Sequence, residues 1–338
     1  MTKKNMIPES NGLYRVNMKE KVSKIGIFKR ISFLIIFIFL LGFIFQTVTD
    51  FIGDEKISSS LYYAKVNGEK MEYNYGGSGD YTVVFDGAIG TTLYQWNDVC
   101  KKLNEMGVKT FVYNRSGYGY SKYVSGRNVK EQAEDLKILL RKAGVSGKLI
   151  LVGEEYGSLV MTNFAKEYPE TVAGMLLIKP LNESTIKTDK YKDDIKWTYY
   201  KSRIESIGTN FGLTTLLDKL DQTYEISTFE NSLNDYEKEE FNILKNRSSY
   251  RKAIKSELGN LYSYNLDSQV DKLMDGKPLY IISNDGNDPL KSLGGDKYVT
   301  VYKTKSKEQI LSVTDKDAIV NGVNNILREL KKINKNKN

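Results

Sequence analysis

Residues 148–157 read KLILVGEEYG, an aliphatic run that ends in Gly153-Glu154-Glu155-Tyr156-Gly157. An apolar run this short, bounded by glycine, predicts a buried strand over Lys148–Val152. The next residues, Ser158–Tyr168, have helical character and stop at Pro169. Strand, double-glycine turn and helix together describe a sharp elbow that holds out one central side chain. The glycines suit it, because such a turn is tight and its centre is strained. As a pattern G-x-x-x-G is weak, so its meaning depends on what surrounds it.

The surrounding chain alternates strands and helices. Leu61–Val66 and Met71–Tyr75 flank Asn67-Gly68, a two-residue hairpin signal. Tyr81–Phe85 is a short β-branched and aromatic run that ends in Asp86-Gly87-Ala88-Ile89-Gly90. Thr91–Met106 has helical spacing at Leu93, Trp96, Val99 and Leu103, with Thr91 or Thr92 as cap and Gly107 as stop. Lys109–Tyr113 predicts another strand, Asn128–Ala143 an amphipathic helix stopped by Gly144, and Val172–Ile178 a fourth core strand. Strands joined by crossover helices imply a parallel sheet covered on both faces. The rhythm breaks over about 182–276, which is polar, charged and aromatic with helical stretches at Asp193–Ile207 and Leu233–Leu244. That is too long for a structureless loop and predicts a helical lid. Strands then resume at Pro278–Ser283 and Lys297–Tyr302, and Asp317–Ile333 closes the chain as an amphipathic helix. Internal repeats are absent, and the Lys/Asn-rich tail after Ile333 is expected to fray.

Composition narrows the chemistry. The 338 residues can bury a large core. The chain contains no histidine and one cysteine, Cys100. That excludes Ser-His-Asp and Cys-His catalysis, His-ligated metal and an internal disulfide. The net charge is +8, but residues 1–30 hold eight Lys/Arg against two acids, leaving only +2 for the rest. Basicity is therefore local, and the body carries no nucleic-acid footprint.

After Arg30 come 19 residues without charge, 31–49. At about 1.5 Å per residue they span roughly 28 Å, close to a bilayer core of about 30 Å. A cleaved signal peptide fits less well, because the basic region is long and no A-x-A-like site follows Phe45. A buried core helix fits worse, because the run is apolar on every face. The expected layout is a basic cytoplasmic segment over 1–30, a single transmembrane helix over 31–49, and an extracytoplasmic domain over 54–338 at the cell membrane.

From about Ser59 to Leu330 the chain resembles the α/β-hydrolase superfamily. Val84-Phe85-Asp86-Gly87 is similar to the strand that usually ends in His-Gly and supplies an oxyanion-hole amide. Residues 113–121, YNRSGYGYS, are similar to the family's Y-D-R-x-G-x-G-x-S turn. Residues 164–172, FAKEYPETV, match its F-A-x-x-Y-P-x-x-V passage. The resemblance implies an α/β-hydrolase-like, mostly parallel sheet with helices on both faces and a lid insertion. It also implies that the elbow spans Gly153 and Gly157 and that oxyanion-hole amides come from about Ala88 and from Tyr156.

The departures fall on the reactive positions. Glu155 occupies the place of the nucleophile, usually Ser and sometimes Asp or Cys. The position before it, often His, is Glu154. The family's His falls nearest Glu308, and its acid corresponds to Asp285 or Asp288. Without a base, attack by a hydroxyl is slow, and an ester on Glu155 would have nothing to activate the clearing water. Three readings stay open: a degenerate, membrane-anchored binding, sensing or scaffold protein; an enzyme of altered chemistry using Glu155 with Glu308 or Asp285; and a structural interaction module. The bland alternative is that Glu154 and Glu155 are solvated carboxylates on an ordinary turn. No cofactor or metal is expected, since no metal-loop spacing accompanies the acids. Expected partners are the membrane, through the N-terminal helix, and an unknown small molecule or protein at the cleft or lid. Trp197, Tyr199 and Tyr200 are expected to pack in the lid or core. Glu155 itself is expected to fold back onto the oxyanion-hole amides as an anionic plug with a depressed pKa.

Overall fold

The computed structural model describes residues 24–57 and 62–336 except 221, 225 and 296. Most of the basic segment, Leu61 at the start of the expected hairpin, and the last two residues lie outside them. The chain divides into two compact units, Met1–Leu41 and Gly42–Asn338. Helix α1 (Lys24–Ile57) contains an apolar stretch, Ile25–Val48, with a mean hydropathy of 2.6. It is long and apolar enough to cross a membrane. The helical backbone continues past Thr49, where the sequence placed its end.

The larger unit is built on an eight-stranded sheet in the order β1-β2-β4-β3-β5-β6-β7-β8. The strands are β1 (Tyr62–Val66), β2 (Glu69–Gly76), β3 (Tyr81–Asp86), β4 (Lys109–Tyr113), β5 (Lys148–Glu154), β6 (Val172–Ile178), β7 (Leu279–Ser283) and β8 (Val299–Lys303). Asn67-Gly68 makes the β1–β2 hairpin, with Asn67 in the left-handed region that this turn requires. β2 pairs antiparallel with β4, and every later pairing is parallel. The central strands are apolar on both faces because helices cover both; β6 is buried throughout.

The helices of the larger unit after the sheet begins are α2 (Asn97–Glu105), α3 (Val129–Lys142), α4 (Tyr156–Glu167), α5 (Glu183–Ile186), α6 (Asp189–Gly208), α7 (Leu213–Asp218), α8 (Ser227–Ser232), α9 (Asp235–Leu244), α10 (Ser248–Tyr262), α11 (Leu311–Thr314) and α12 (Lys316–Lys335), of which α2, α3, α4 and α12 pack on the strands. Asn128 and Glu131 form a reciprocal capping box at the start of α3. The helix expected over Thr91–Met106 is instead a short 3-10 turn, Leu93–Trp96, followed by α2. The Leu93 amide bonds to Asn114 Oδ1 at 2.8 Å, while the Thr92 side chain makes no cap. Helices α5–α10 all lie between β6 and β7, where the sequence placed its long insertion. The last helix runs through Lys335, so it does not fray at Ile333. Two apolar clusters fill the sheet's faces, one around Phe111, Leu136 and Phe164, the other around Trp96, Val152 and Ile319.

Candidate functional site

The elbow is where parallel strands converge. Glu155 has φ 50° and ψ −113°, a strained backbone for a residue with a side chain. Crowding explains both glycines. A Cβ at Gly153 would come within 2.7 Å of the Gly157 carbonyl oxygen, and one at Gly157 within 2.9 Å of Gly87 O and closer still to Asp86 O. The Gly157 amide donates to Gly87 O at 3.0 Å, locking the elbow against the turn after β3.

Glu155 is half-buried, and its Oε2 accepts the Ile89 amide at 3.1 Å. The sequence placed this donor at about Ala88, but the Ala88 amide points to Gln95 Oε1 at 3.3 Å. The turn presents its next amide. Burial raises the Glu155 pKa, while the amides of Ile89 and Tyr156 and the Arg115 charge pull it back. A depressed pKa was expected, and burial reverses the sign: the carboxylate is desolvated by more than its donors repay.

Glu154 is wholly buried, contrary to a solvated pair on an open turn. It accepts from Gln95 Nε2 at 2.6 Å, Leu311 N at 2.5 Å, and Ser312 N and Oγ at 3.3 and 2.5 Å. Burial still pushes its pKa up to about 7, against these donors. A polar cleft of about 360 Å³ opens beside Gln95 and Ser312, with Tyr94, Glu237 and Lys316 also on its wall.

A third buried group lies behind the elbow. Arg115 donates to both carboxylate oxygens of Glu257 on α10, at 2.6 and 3.0 Å. It also donates to Asp86, to Gly87 O at 2.8 Å and to Ala88 O at 3.1 Å. Tyr118 donates to Glu257 at 2.7 Å, and Tyr113 to Asp86 at 2.7 Å. From the same helix, Tyr250 donates to Gly90 O at 2.6 Å and Asn260 to the Tyr156 hydroxyl at 2.9 Å. So α10 is fastened to both elbow turns. Sequence reasoning missed Glu257; a lone acid in a charged helix carries no local signal.

The remaining residues that the sequence singled out are not gathered here. Asp288 caps the 3-10 turn Pro289–Leu293 through Leu290 N at 2.9 Å, and Asp285 is exposed with Asn287 N on its Oδ1 at 3.0 Å. Glu308 is exposed and accepts from Thr228 Oγ1 at 3.1 Å, while its carbonyl is held by Lys179 Nζ. Among the described residues no hydrogen bond joins Glu155 to Asp285, Asp288 or Glu308. Tyr199 stacks on Tyr262 at 4.9 Å, as lid packing would have it, but Trp197 is 73% exposed and Tyr200 42%. No cluster of acids able to hold a metal is found among the described residues.

An eight-stranded, mostly parallel sheet with an elbow after its central strand defines an α/β-hydrolase fold. The chain belongs to that family: the model of the alpha/beta hydrolase fold matches residues 81–296. Solved structures agree on the fold. The epoxide hydrolase CorEH is similar with a TM-score of 0.64 at 16% identity, covering 80% of this chain and 99% of that one. A thermophilic esterase from Thermogutta terrifontis gives 0.59 at 16% identity, covering 80% and 99%. An epoxide hydrolase from Bacillus megaterium gives 0.59 at 16%, covering 79% and 100%. The uncharacterized protein YqjL of Bacillus subtilis (strain 168) is 29% identical over 106 residues, 31% of this chain. The match spans 41% of that relative's length.

Proposed function

We propose that this protein is a membrane-anchored, catalytically degenerate α/β-hydrolase that binds, senses or scaffolds. The observation that carries the reading is the Glu155–Ile89 hydrogen bond. In this fold those amides meet a transient oxyanion; here a side chain of the chain itself lies on one of them. The absence of histidine supports the reading, because no imidazole remains to activate a hydroxyl or a water. The α5–α10 insertion acts as a lid fastened through Glu257, and the cleft beside Gln95 and Ser312 offers a polar ligand site.

A second reading has its own support. A carboxylate whose pKa is raised, as at Glu155, is suited to general acid or base work. The two are separated by assaying the full chain with p-nitrophenyl esters and epoxides, alongside a serine-directed phosphonate. The degenerate reading expects background rates, no labelling, and no gain from Glu155→Ser. Turnover that Glu155→Gln abolishes would overturn it in favour of altered chemistry.

A further inference from the structure

Helix α6 packs Tyr191, Ile195 and Tyr199 on the core, but beyond them it is turned inside out. It buries Ser202, Glu205 and Ser206 and exposes Trp197, Tyr200, Ile204 and Ile207. Those four recur at helical spacing and form one stripe. The buried polar face is satisfied internally: Glu205 accepts from Arg251 at 3.3 Å and from the Tyr224 amide at 3.0 Å. Helix α7 repeats the inversion, burying Thr214 and exposing Leu213 and Leu216, with Leu220 just beyond. A water-facing helix has the opposite arrangement, so this face is built for an apolar neighbour.

Its place in the fold identifies that neighbour. Within the larger unit, residues 42–46, near the end of the apolar stretch, pack on the same part of the insertion. Gln46 donates to Asn246 O at 3.1 Å. A Cβ at Gly42 would collide with the Phe211 carbonyl, and one at Gly212 would sit 3.3 Å from the Phe45 ring. Phe211 and Gly212 join α6 to α7. Residues 42–46 therefore meet the insertion at the junction between its two exposed apolar faces. Exposed Lys196, Arg203 and Lys219 flank it, with exposed Asp193 and Asp194 at its N-terminal end, and Trp and Tyr with neighbouring cations are the residues that settle at a lipid headgroup boundary.

We infer that the α6–α7 face, from Trp197 to Leu220, lies on the lipid bilayer as a second membrane contact. This rests on α1 being a membrane anchor. The body is then held against the bilayer surface rather than tethered at a distance from it.

The chain has two tryptophans, Trp96 buried at 2% exposure and Trp197 on the face, which gives a native probe. Full-length protein is reconstituted into phosphatidylcholine vesicles with and without dibrominated acyl chains. Quenching is read for the wild type, for Trp197→Phe, and for Leu216→Trp placed in the Trp197→Phe background. Bromolipid is expected to remove about half or more of the indole emission from position 197 in the wild type and from position 216 in the double variant, while Trp197→Phe alone stays nearly unquenched. Adding Ile204→Glu should weaken quenching at both positions. Carbonate extraction of the same vesicles reports the anchor separately. A chain that resists extraction but shows no quenching at either position, or at only one, overturns the inference and leaves the anchor standing. A chain that extracts freely overturns both. Emission at position 197 that ignores bromolipid but changes on diluting the protein would assign the face to a second copy and overturn the bilayer contact.

Discussion

Arg115 and Glu257 meet through two hydrogen bonds, 2.6 and 3.0 Å long, although 142 positions separate them in the chain. One stands on the turn after β4, the other on α10, and both are almost wholly buried. Because Arg115 also holds Asp86 and the carbonyls of Gly87 and Ala88, this pair ties the helical insertion to the turn that carries Ile89.

Breaking that pair should be costly. Glu257→Ala leaves Arg115 with one buried counter-charge in place of two, and removing one partner of a buried pair typically costs about 3–5 kcal/mol. Glu257→Gln keeps an acceptor and should lose less. Urea denaturation of both variants checks this. Equal and small losses would mean that the pair does not fasten the insertion.

What the sequence revealed, and what it hid, follows from the range of each interaction. Asn67-Gly68 announced its hairpin because turn chemistry is local. Lys109–Tyr113 and Val172–Ile178 were legible to the residue, since a buried strand is a short, mostly apolar run. Glu155 takes the Ile89 amide and not that of Ala88, because Gln95, seven positions on, takes the Ala88 amide. Glu154 looked like a surface acid because its donors Leu311 and Ser312 lie more than 150 positions away. Trp197 looked like packing because periodicity gives a stripe but not the side of the helix that faces inward.

Glu154 should contribute to the pH dependence of stability, beside other buried acids whose pKa is likewise raised, such as Glu72 and Glu257. Its folded pKa is raised from 4.5 to about 7 by burial. The sign follows: the native state holds the proton more tightly, so the contribution is complete below pH about 4.5 and is lost as pH rises through about 7. For a wholly buried group that shift corresponds to roughly 3 kcal/mol. Urea midpoints measured from pH 4.5 to 8.5 should fall more steeply for the wild type than for Glu154→Gln. Parallel profiles would contradict it.

Gly157 should tolerate no side chain. A Cβ there would overlap the backbone oxygens of Asp86 and Gly87, which belong to the sheet's end and cannot move aside cheaply. Gly157→Ala should destabilise far beyond the roughly 0.5 kcal/mol of an ordinary surface change. Gly286→Ala serves as the control, since only the Lys303 side chain approaches, at 3.7 Å. Thermal unfolding of the two variants should separate them clearly.

Topology is open to a direct test. The charge step across residues 31–49 predicts an N-terminus on the inner side. Protease added to intact cells should digest the body while an N-terminal tag survives. A protected body, with a C-terminal reporter active in the cytoplasm, would reverse the orientation.

Glu155 itself yields the sharpest separation between plug and bystander. Its Oε2 satisfies the Ile89 amide, so Glu155→Ala should strand that donor and cost about 1–3 kcal/mol. Glu155→Gln retains a carbonyl oxygen for the same amide and sheds a carboxylate whose ionisation burial disfavours. It should therefore be close to neutral, or stabilising, at pH 7. Since the folded pKa is raised, the wild-type side chain contributes most when protonated and less as pH climbs from about 4.5. The advantage of Glu155→Gln over wild type should accordingly grow with pH. Hydrogen exchange at the Ile89 amide supplies the readout that stability alone lacks: protection should survive Glu155→Gln and fall in Glu155→Ala. If the amide exchanges equally in all three proteins, the carboxylate does not occupy the site, and the turn after β3 is left free to receive a ligand's oxygen.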